Sequence, residues 1–213
     1  MLKLAVNNLK TILCLGAHAD DIEIGCGGTM LKLLAEQESV KVHWVVLGAS
    51  GRRAREAEQS AREFLHDAAS VEVVVHGFRD GYFPYIGGEI KEFVEQLRDR
   101  MTPDLIFTHR RDDLHQDHRL VSELTRCAFR DHLILDYEIP KYDGDMGQPN
   151  FYVPLSEELC RRKIETIVRC FPSQWDKRWF SEDTYRALLR LRGVECHSAS
   201  NFAEAFCAPK VSL

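Results

Sequence analysis

The fold is decided by residues 11–29, which read TILCLGAHADDIEIGCGGT. The first part, residues 11–16, is a short apolar run of the kind that is buried on both faces of a parallel sheet. A histidine, acidic residues and glycines follow directly, and residues 30–37 then have helical character. A strand that passes through a short polar segment into a helix begins a βαβ unit, so this stretch predicts an α/β fold.

The same alternation continues along the chain. Further strands are predicted at residues 40–47, 71–76, 104–108 and 133–137, and further helices at 53–69, 89–100, 118–129, 157–170 and 182–191. Residues 143–154 contain Gly, Pro and Asn and are predicted to form a loop. Short connectors between strands and helices imply right-handed crossovers. We therefore expect one Rossmann-like α/β domain over residues 1–213, with a mostly parallel sheet flanked by helices and a helical C-terminal elaboration.

Composition excludes several classes of protein. With 45% hydrophobic and 29% charged residues the chain is an ordinary globular one, and its net charge of −5 argues against nucleic acid as a partner. No apolar run approaches the roughly 20 residues of a membrane span, and residues 1–10 lack the apolar core of a signal peptide. The seven cysteines form no C-x-x-C pair and are typical of reduced, mostly buried thiols. We therefore expect a cytoplasmic protein.

Imidazoles and carboxylates cluster at two strand ends, where open parallel sheets bind their ligands. They are His18, Asp20 and Asp21 after the first strand, and His115, Asp117 and His118 after the fourth. Two imidazoles with one carboxylate are typical of a catalytic zinc that keeps one position open for water. Two adjacent acids would repel each other without a nearby cation. The alternative without a functional site is that the acids cap a helix and the histidines are ordinary surface residues.

The motif His18-x-Asp20-Asp21-x-x-x-Gly25-x-Gly27-Gly28-Thr29, together with His115-x-Asp117-His118, resembles the paired signature of the PIG-L/LmbE-like zinc-dependent N-deacetylases. Arg53-x-x-Glu56 and the C-terminal Arg192-Gly193 and Ala203-Glu204-Ala205-Phe206 are weaker matches to the same family. Ala19 and Gln116 stand where the family usually has proline, and the segment of residues 47–53 is shorter than in relatives.

The resemblance implies a role for each matched residue. His18, Asp21 and His118 would bind Zn²⁺, or another divalent ion such as Fe²⁺. Asp20 would be the general base that deprotonates water, and Arg53 would contact substrate. His115 would face the substrate carbonyl while Asp117 holds the His115 ring and raises its pKa. The substrate would be an N-acylated amino sugar or sugar conjugate. Whether Asp20 or His115 protonates the leaving amine stays open, and the resemblance allows a homo-oligomer.

Other interpretations compete with this one. The glycines of residues 25–29 invite a phosphate-loop interpretation, but no lysine follows them and two acids precede them; they are expected to let the segment turn tightly and the helix pack closely. A 2-His-1-carboxylate iron site is an alternative for the metal. A metal-dependent amidase on a non-sugar amide and a non-catalytic metal-containing binding module are alternatives for the function.

Some residues outside the two motifs also invite a functional interpretation. Tyr142 and Trp175 either line a sugar pocket or serve in packing. The Arg110-Arg111 pair beside Asp112-Asp113 is more typical of salt bridges than of an anion site. Glu204 either caps a helix or pairs with a site residue.

Overall fold

The computed structural model describes residue 6, residues 8–37 and residues 39–211. Within these residues the strands are β1 (Thr11–His18), β2 (Lys41–Gly48), β3 (Ser70–Val75), β4 (Leu105–His109), β5 (Leu133–Tyr137), β6 (Phe151–Pro154) and β7 (Ala203–Cys207). They form one sheet in the order β3-β2-β1-β4-β5-β7-β6. Strands β1 to β5 are parallel, β7 runs antiparallel to β5, and β6 runs antiparallel to β7. The predicted mostly parallel α/β fold is confirmed.

Helices cover both faces of the sheet. They are α1 (Asp21–Glu36), α2 (Gly51–Phe64), α3 (Gly87–Arg100), α4 (Gln116–Ala128), α5 (Glu157–Cys170) and α6 (Glu182–Glu195), with 3-10 helices at Phe83–Ile86 and Pro172–Gln174. In β1, Ile12 and Cys14 point to the core beneath α1, α2, α5 and α6, whereas Leu13 and Leu15 point to the core beneath α3 and α4. Because successive strand residues face opposite sides, a strand buried on both sides must be apolar throughout, as the sequence indicated.

Two predictions about the elements are wrong. Helix α1 begins at Asp21, so the glycines of residues 25–29 lie inside the helix and do not form a tight turn. The C-terminal elaboration is not purely helical. Strand β6 lies within the predicted loop of residues 143–154, and β7 follows α6. These two short strands pair with each other, with Phe151 opposite Phe206. Local periodicity does not reveal such strands, because their stability depends on a partner far away in the sequence.

Gly25 lets α1 pack directly on the aromatic ring of Tyr137 in β5. A Cβ atom at Gly25 would lie 2.3 Å from Cδ2 of Tyr137, a distance that real Cβ atoms do not reach. The Tyr137 hydroxyl in turn donates a hydrogen bond to the backbone oxygen of Leu15 (2.6 Å) and so links β5 to β1. The close packing predicted for the glycines is confirmed at this position.

A buried ion pair between Lys163 of α5 and Glu204 of β7 binds the middle of α1. The Glu204 carboxylate accepts hydrogen bonds from the backbone N–H groups of Gly28 (2.8 Å) and Thr29 (2.6 Å). Lys163 donates to the same carboxylate (2.5 Å) and to the backbone oxygen of Ile24 (2.6 Å). Because all of these groups are buried and paired, Glu204 has a structural role in this fold. Its partners are the middle of α1 and Lys163, so it neither caps a helix end nor pairs with one of the predicted site residues.

All seven cysteines are free, and five of them are buried: Cys14, Cys26, Cys160, Cys170 and Cys196. The prediction of mostly buried thiols is therefore confirmed. The prediction for residues 1–10 falls largely outside the described residues. Among the described helices, none combines the length and the apolar composition that a membrane crossing requires.

Replacing Gly25 by alanine should destabilise the protein by about 1–3 kcal/mol, because the added methyl group would overlap the Tyr137 ring and force it to move. Urea unfolding followed by circular dichroism measures this change. Gly88→Ala is the matched control, since a Cβ atom there meets nothing within 4 Å and alanine favours a helix by up to about 1 kcal/mol. Equal stability of Gly25→Ala and the wild-type protein would contradict the packing described.

Candidate metal centre

The site lies where the order of the parallel strands reverses, between β1 and β4. Strand β1 ends at His18 and α1 begins at Asp21, while β4 ends at His109 and α4 begins at Gln116. The register pairs Cys14 with Phe107, so the carboxyl ends of the two strands are neighbours. Ligands of open α/β sheets bind at such a switch point. The fold thus brings the two sequence motifs together.

Three side-chain atoms at this point form a nearly equilateral triangle. His18 Nδ1 lies 3.1 Å from His118 Nε2, and Asp21 Oδ2 lies 3.4 Å from His18 Nδ1 and 3.6 Å from His118 Nε2. A tetrahedral Zn²⁺ with bonds of about 2.0–2.2 Å separates its ligand atoms by about 3.3–3.6 Å. Two imidazole nitrogens and one carboxylate oxygen are also the donor types that such an ion prefers. The residues present therefore fit a divalent metal ion.

Each of the two imidazoles has a buried carboxylate on its other ring nitrogen. His18 Nε2 lies 3.2 Å from Asp117 Oδ2, and His118 Nδ1 lies 3.0 Å from Asp113 Oδ2. A carboxylate that accepts the N–H of one ring nitrogen leaves the lone pair of the other nitrogen free. Both free lone pairs then point toward the triangle, which is the arrangement that metal-binding histidines need.

The charges around the triangle favour a cation. Burial lowers the pKa of His18, but Asp117 and Asp21 outweigh burial and hold it well above its ordinary value. Burial raises the pKa of Asp21, but His118 and His109 outweigh it, so this carboxylate stays ionised. Burial and His109 lower the pKa of His118 to about 4, so this ring is neutral at neutral pH.

Asp117 has a different partner from the one predicted. Its carboxylate accepts hydrogen bonds from the backbone N–H groups of Gly81 (2.6 Å) and Phe83 (3.1 Å) and contacts His18, not the ring of His115. The link to His115 runs the other way, because the backbone N–H of Asp117 donates to His115 Nδ1 (3.2 Å). The physical reason is the segment after β3, which brings two N–H groups to the carboxylate.

His115 lies beside the two predicted imidazole ligands. Its ring stacks on His118, with centroids 4.5 Å apart, and meets the ring of His18 edge to face at 4.8 Å. Burial and the neighbouring charge of His18 lower the pKa of His115, although Asp117 raises it. The predicted elevation of this pKa is therefore wrong. A half-buried ring at this place is still able to reach a molecule bound at the triangle.

Asp20 is held by Arg53. The Arg53 Nη2 atom donates to Asp20 Oδ1 (2.6 Å), while among the described residues Asp20 Oδ2 has no hydrogen-bond partner. Arg53 is itself positioned by Glu56 (3.6 Å) and by the Phe171 ring, 5.5 Å from the guanidinium carbon. Burial raises the pKa of Asp20, and Arg53 counteracts part of this effect. Arg53 was predicted to contact substrate, and in the structure its charge is engaged by Asp20.

His109 is a site residue to which the sequence assigned no role. Its Nε2 atom accepts a hydrogen bond from the backbone N–H of Ala17 (2.9 Å) and lies 3.2 Å from Asp21 Oδ2. Its ring stacks on His118, with centroids 3.9 Å apart. Its position as the last residue of β4 is the signal that would have identified it, since strand ends at a switch point line the ligand site.

Two acidic residues near the site were also missed. Asp113 contacts His118, although the sequence suggested only a surface salt bridge for the charged loop that contains it. Arg110 does form a salt bridge, with Asp112 at 2.6 Å, but the Arg110 side chain is buried and does not lie on the surface. Asp80, an exposed acid after β3, lies 3.1 Å from His18 Nε2. Sequence spacing gives no signal for Asp80, because its approach depends on the path of the segment after β3.

The two aromatic residues that were considered for a sugar pocket are both exposed. Tyr142 follows β5, and its hydroxyl accepts a hydrogen bond from the backbone of Arg178 (3.3 Å). Trp175 follows the second 3-10 helix, and its indole N–H donates to the backbone of Val168 (2.8 Å). Each side chain thus keeps its polar group anchored and its ring in solvent. A sugar contact at either ring stays a prediction.

The sequence of this chain is similar to sequences of known deacetylases. A model of the PIG-L family, described as GlcNAc-PI de-N-acetylase, matches residues 13–129, which is more than half of the chain. The Escherichia coli (strain K12) protein named uncharacterized deacetylase YaiS is 28% identical over 174 residues, covering 78% of this chain and 92% of that protein.

Two solved structures share the fold at low sequence identity. N,N'-diacetylchitobiose deacetylase from Pyrococcus horikoshii has a TM-score of 0.66 and 22% identity, covering 93% of this chain and 83% of that chain. GalB, the 4-carboxy-2-hydroxymuconate hydratase of Pseudomonas putida KT2440, has a TM-score of 0.73 and 19% identity, covering 96% and 98%. Fold similarity alone therefore does not separate a deacetylase from a hydratase. The family model is a match of sequence, it spans both site motifs, and this chain is thus a member of the PIG-L family of de-N-acetylases.

Proposed function

We propose that this protein is a metal-dependent hydrolase that removes an acetyl or other acyl group from the nitrogen of an amino sugar or sugar conjugate. The proposed metal ligands are His18, Asp21 and His118, and the proposed ion is Zn²⁺, with Fe²⁺ as the alternative. The observation that carries the proposal is the triangle of three ligand atoms with a carboxylate on the second nitrogen of each imidazole. Membership of a de-N-acetylase family supplies the type of reaction.

A divalent ion, when bound there, supplies Lewis-acid activation of water and of the substrate carbonyl. Asp20 is the proposed general base. Its Oδ2 atom lacks a partner among the described residues and is available to accept a proton, while Arg53 fixes Oδ1. Burial raises the pKa of Asp20, which makes this carboxylate a better proton acceptor than an exposed aspartate.

His115 is the proposed donor to the oxygen of the acyl group as negative charge develops there. Its Nδ1 atom accepts the backbone N–H of Asp117, so the neutral ring carries its proton on Nε2. The ring therefore offers an N–H group to the oxygen without being protonated, which fits its lowered pKa. Preorganised donors of this kind are among the largest contributions to catalysis of acyl transfer.

The alternatives predict different reactions of the same site. An amidase on a non-sugar amide would use the same residues with another pocket around them. A hydratase, as GalB is, would add water to a carbon–carbon double bond and release no amine. A non-catalytic binding module would need neither an available base nor an oriented imidazole. The Oδ2 atom of Asp20, for which the described part of the chain offers no hydrogen-bond partner, favours catalysis over binding alone.

The protein purified without chelator should contain one divalent ion per chain, because three ligand atoms with oriented partners are already in place. Elemental analysis of the protein and titration of the chelated protein with Zn²⁺ measure this. Asp21→Ala should lose the ion, with the fold of the variant checked by circular dichroism, whereas Asp67→Ala, which removes an exposed acid paired with His66, should retain it. A stoichiometric ion in Asp21→Ala would refute the proposed ligand set.

The metal-loaded protein should release amine and acetate from at least one N-acetylated amino sugar. The panel should contain free N-acetylglucosamine, its disaccharide and conjugates on lipid and nucleotide carriers, with N-acetylated amino acids as non-sugar amides and 4-carboxy-2-hydroxymuconate as the hydratase substrate. Amine is detected with a fluorogenic reagent, acetate by an enzymatic assay, and hydration by the loss of ultraviolet absorbance of the conjugated double bonds. Turnover confined to the amino acids or to the hydratase substrate would replace the proposed function by one of its alternatives.

Asp20→Asn should keep the fold and the bound ion but lower turnover by about 10²–10⁴-fold, the usual contribution of a general base. The amide still accepts a hydrogen bond from Arg53 but no longer takes a proton. Metal content and kcat are measured on the same preparation. If Asp20→Asn lost the ion as fully as Asp21→Ala, Asp20 would be a ligand and the assignment of the base would be wrong.

A further inference from the structure

A chain of buried charges leads from His118 to the segment between β5 and β6. Asp113 Oδ2 is 3.0 Å from His118 Nδ1, and Asp113 Oδ1 accepts the backbone N–H of His115 (2.8 Å). Lys141 Nζ is 3.1 Å from Asp113 Oδ1 and 2.5 Å from Asp145 Oδ2. The side chains of Asp113 and Asp145 are only 4% and 5% exposed, and that of Lys141 is 10% exposed. Solvent therefore screens these contacts little.

The segment that carries Lys141 is itself fixed by charged groups. Arg110 donates to the backbone oxygen of Asp145 (2.9 Å), and Arg192 of α6 donates to the backbone oxygen of Gly147 (3.1 Å). The Asp145 carboxylate also accepts the backbone N–H of Leu114 (2.7 Å), directly before His115. The position of Lys141 is thus set by contacts on several sides.

Lys141 compensates a charge that would otherwise be isolated. Asp113 is almost fully buried, and the Lys141 ammonium lies 3.1 Å from its Oδ1 atom. Removing one partner of a buried ion pair leaves the other charge uncompensated, and the local structure then rearranges. Such a rearrangement would disturb the hydrogen bond that orients His118.

We infer that Asp113 and Lys141 are positioning residues for His118 at the metal centre. This inference rests on the proposed function, because it takes His118 as a ligand of the ion. Asp113 accepts the Nδ1–H group of His118 and thereby directs the lone pair of Nε2 toward the triangle. Lys141 holds the Asp113 carboxylate in place through the contact at 3.1 Å. Lys141 lies outside residues 13–129, so the chain beyond the family match contributes to the site.

The test is the affinity of the chelated protein for Zn²⁺, measured by competition with a chromogenic chelator. Asp113→Asn and Lys141→Met should each weaken binding by about 10–100-fold, the usual effect of losing a partner of a metal-binding histidine. Lys141→Arg retains the charge and should bind within about 3-fold of wild type, since an arginine still offers donors to Asp113. Asp99→Asn is the control, because Asp99 is an exposed acid that pairs with Arg98 in α3.

The double variant Asp113→Asn/Lys141→Met separates positioning from a general loss of stability. Because Lys141 acts through Asp113, the double variant should bind Zn²⁺ no more weakly than Asp113→Asn alone. If the wild-type protein bound Zn²⁺ and both single variants bound it with the same affinity, this inference would be overturned. The proposed metal centre would still stand. Failure of the wild-type protein to bind Zn²⁺ would overturn the proposed metal centre and this inference with it.

Discussion

One carboxylate joins the four chain segments that meet at the site. Asp21 Oδ2 accepts the backbone N–H of His18 at 2.6 Å, lies 3.2 Å from His109 Nε2 and faces the imidazole nitrogens of His18 and His118. It stands at the start of α1, and its neighbours come from the end of β1, the end of β4 and the start of α4. A buried ionised carboxylate needs donors or a cation beside it, which here are the backbone N–H of His18 and the divalent ion proposed for the triangle. The positions of these four segments are therefore coupled through a single side chain.

The packing of α1 also helps to position Asp20 and Asp21. Gly25 allows the helix to lie against Tyr137, and Lys163 and Glu204 bind the backbone of the same helix. These contacts help to fix α1 over the end of β1, where Asp20 and Asp21 lie. The C-terminal part of the chain thus contributes more than a cover for the sheet. It holds the helix that carries the acidic residues, and through Lys141 it also contacts Asp113.

The site separates two adjacent acids by their surroundings. Asp21 is surrounded by imidazoles, and its pKa is held well below the ordinary value. Asp20 faces Arg53 on one oxygen only, and burial raises its pKa. Adjacent residues at the start of a helix point in different directions, so each meets a different environment although both have the same chemistry. This difference is the basis for assigning one of them as ligand and the other as base.

The sequence by itself determined the fold class, most of the strands and helices, and the two motifs that meet at the site. Apolar runs and helical periodicity are local signals, and the position of a residue at a strand end follows from them directly. The partners of the site residues were decided by the tertiary structure alone. The Asp117 carboxylate contacts His18 and not the His115 ring, Arg53 contacts Asp20, and His109 lies against Asp21. Each of these contacts joins segments that are far apart in the sequence, and its geometry depends on how the segments pack. Residue spacing carries no information about that packing, so it predicts which residues gather at a site and not which of them touch.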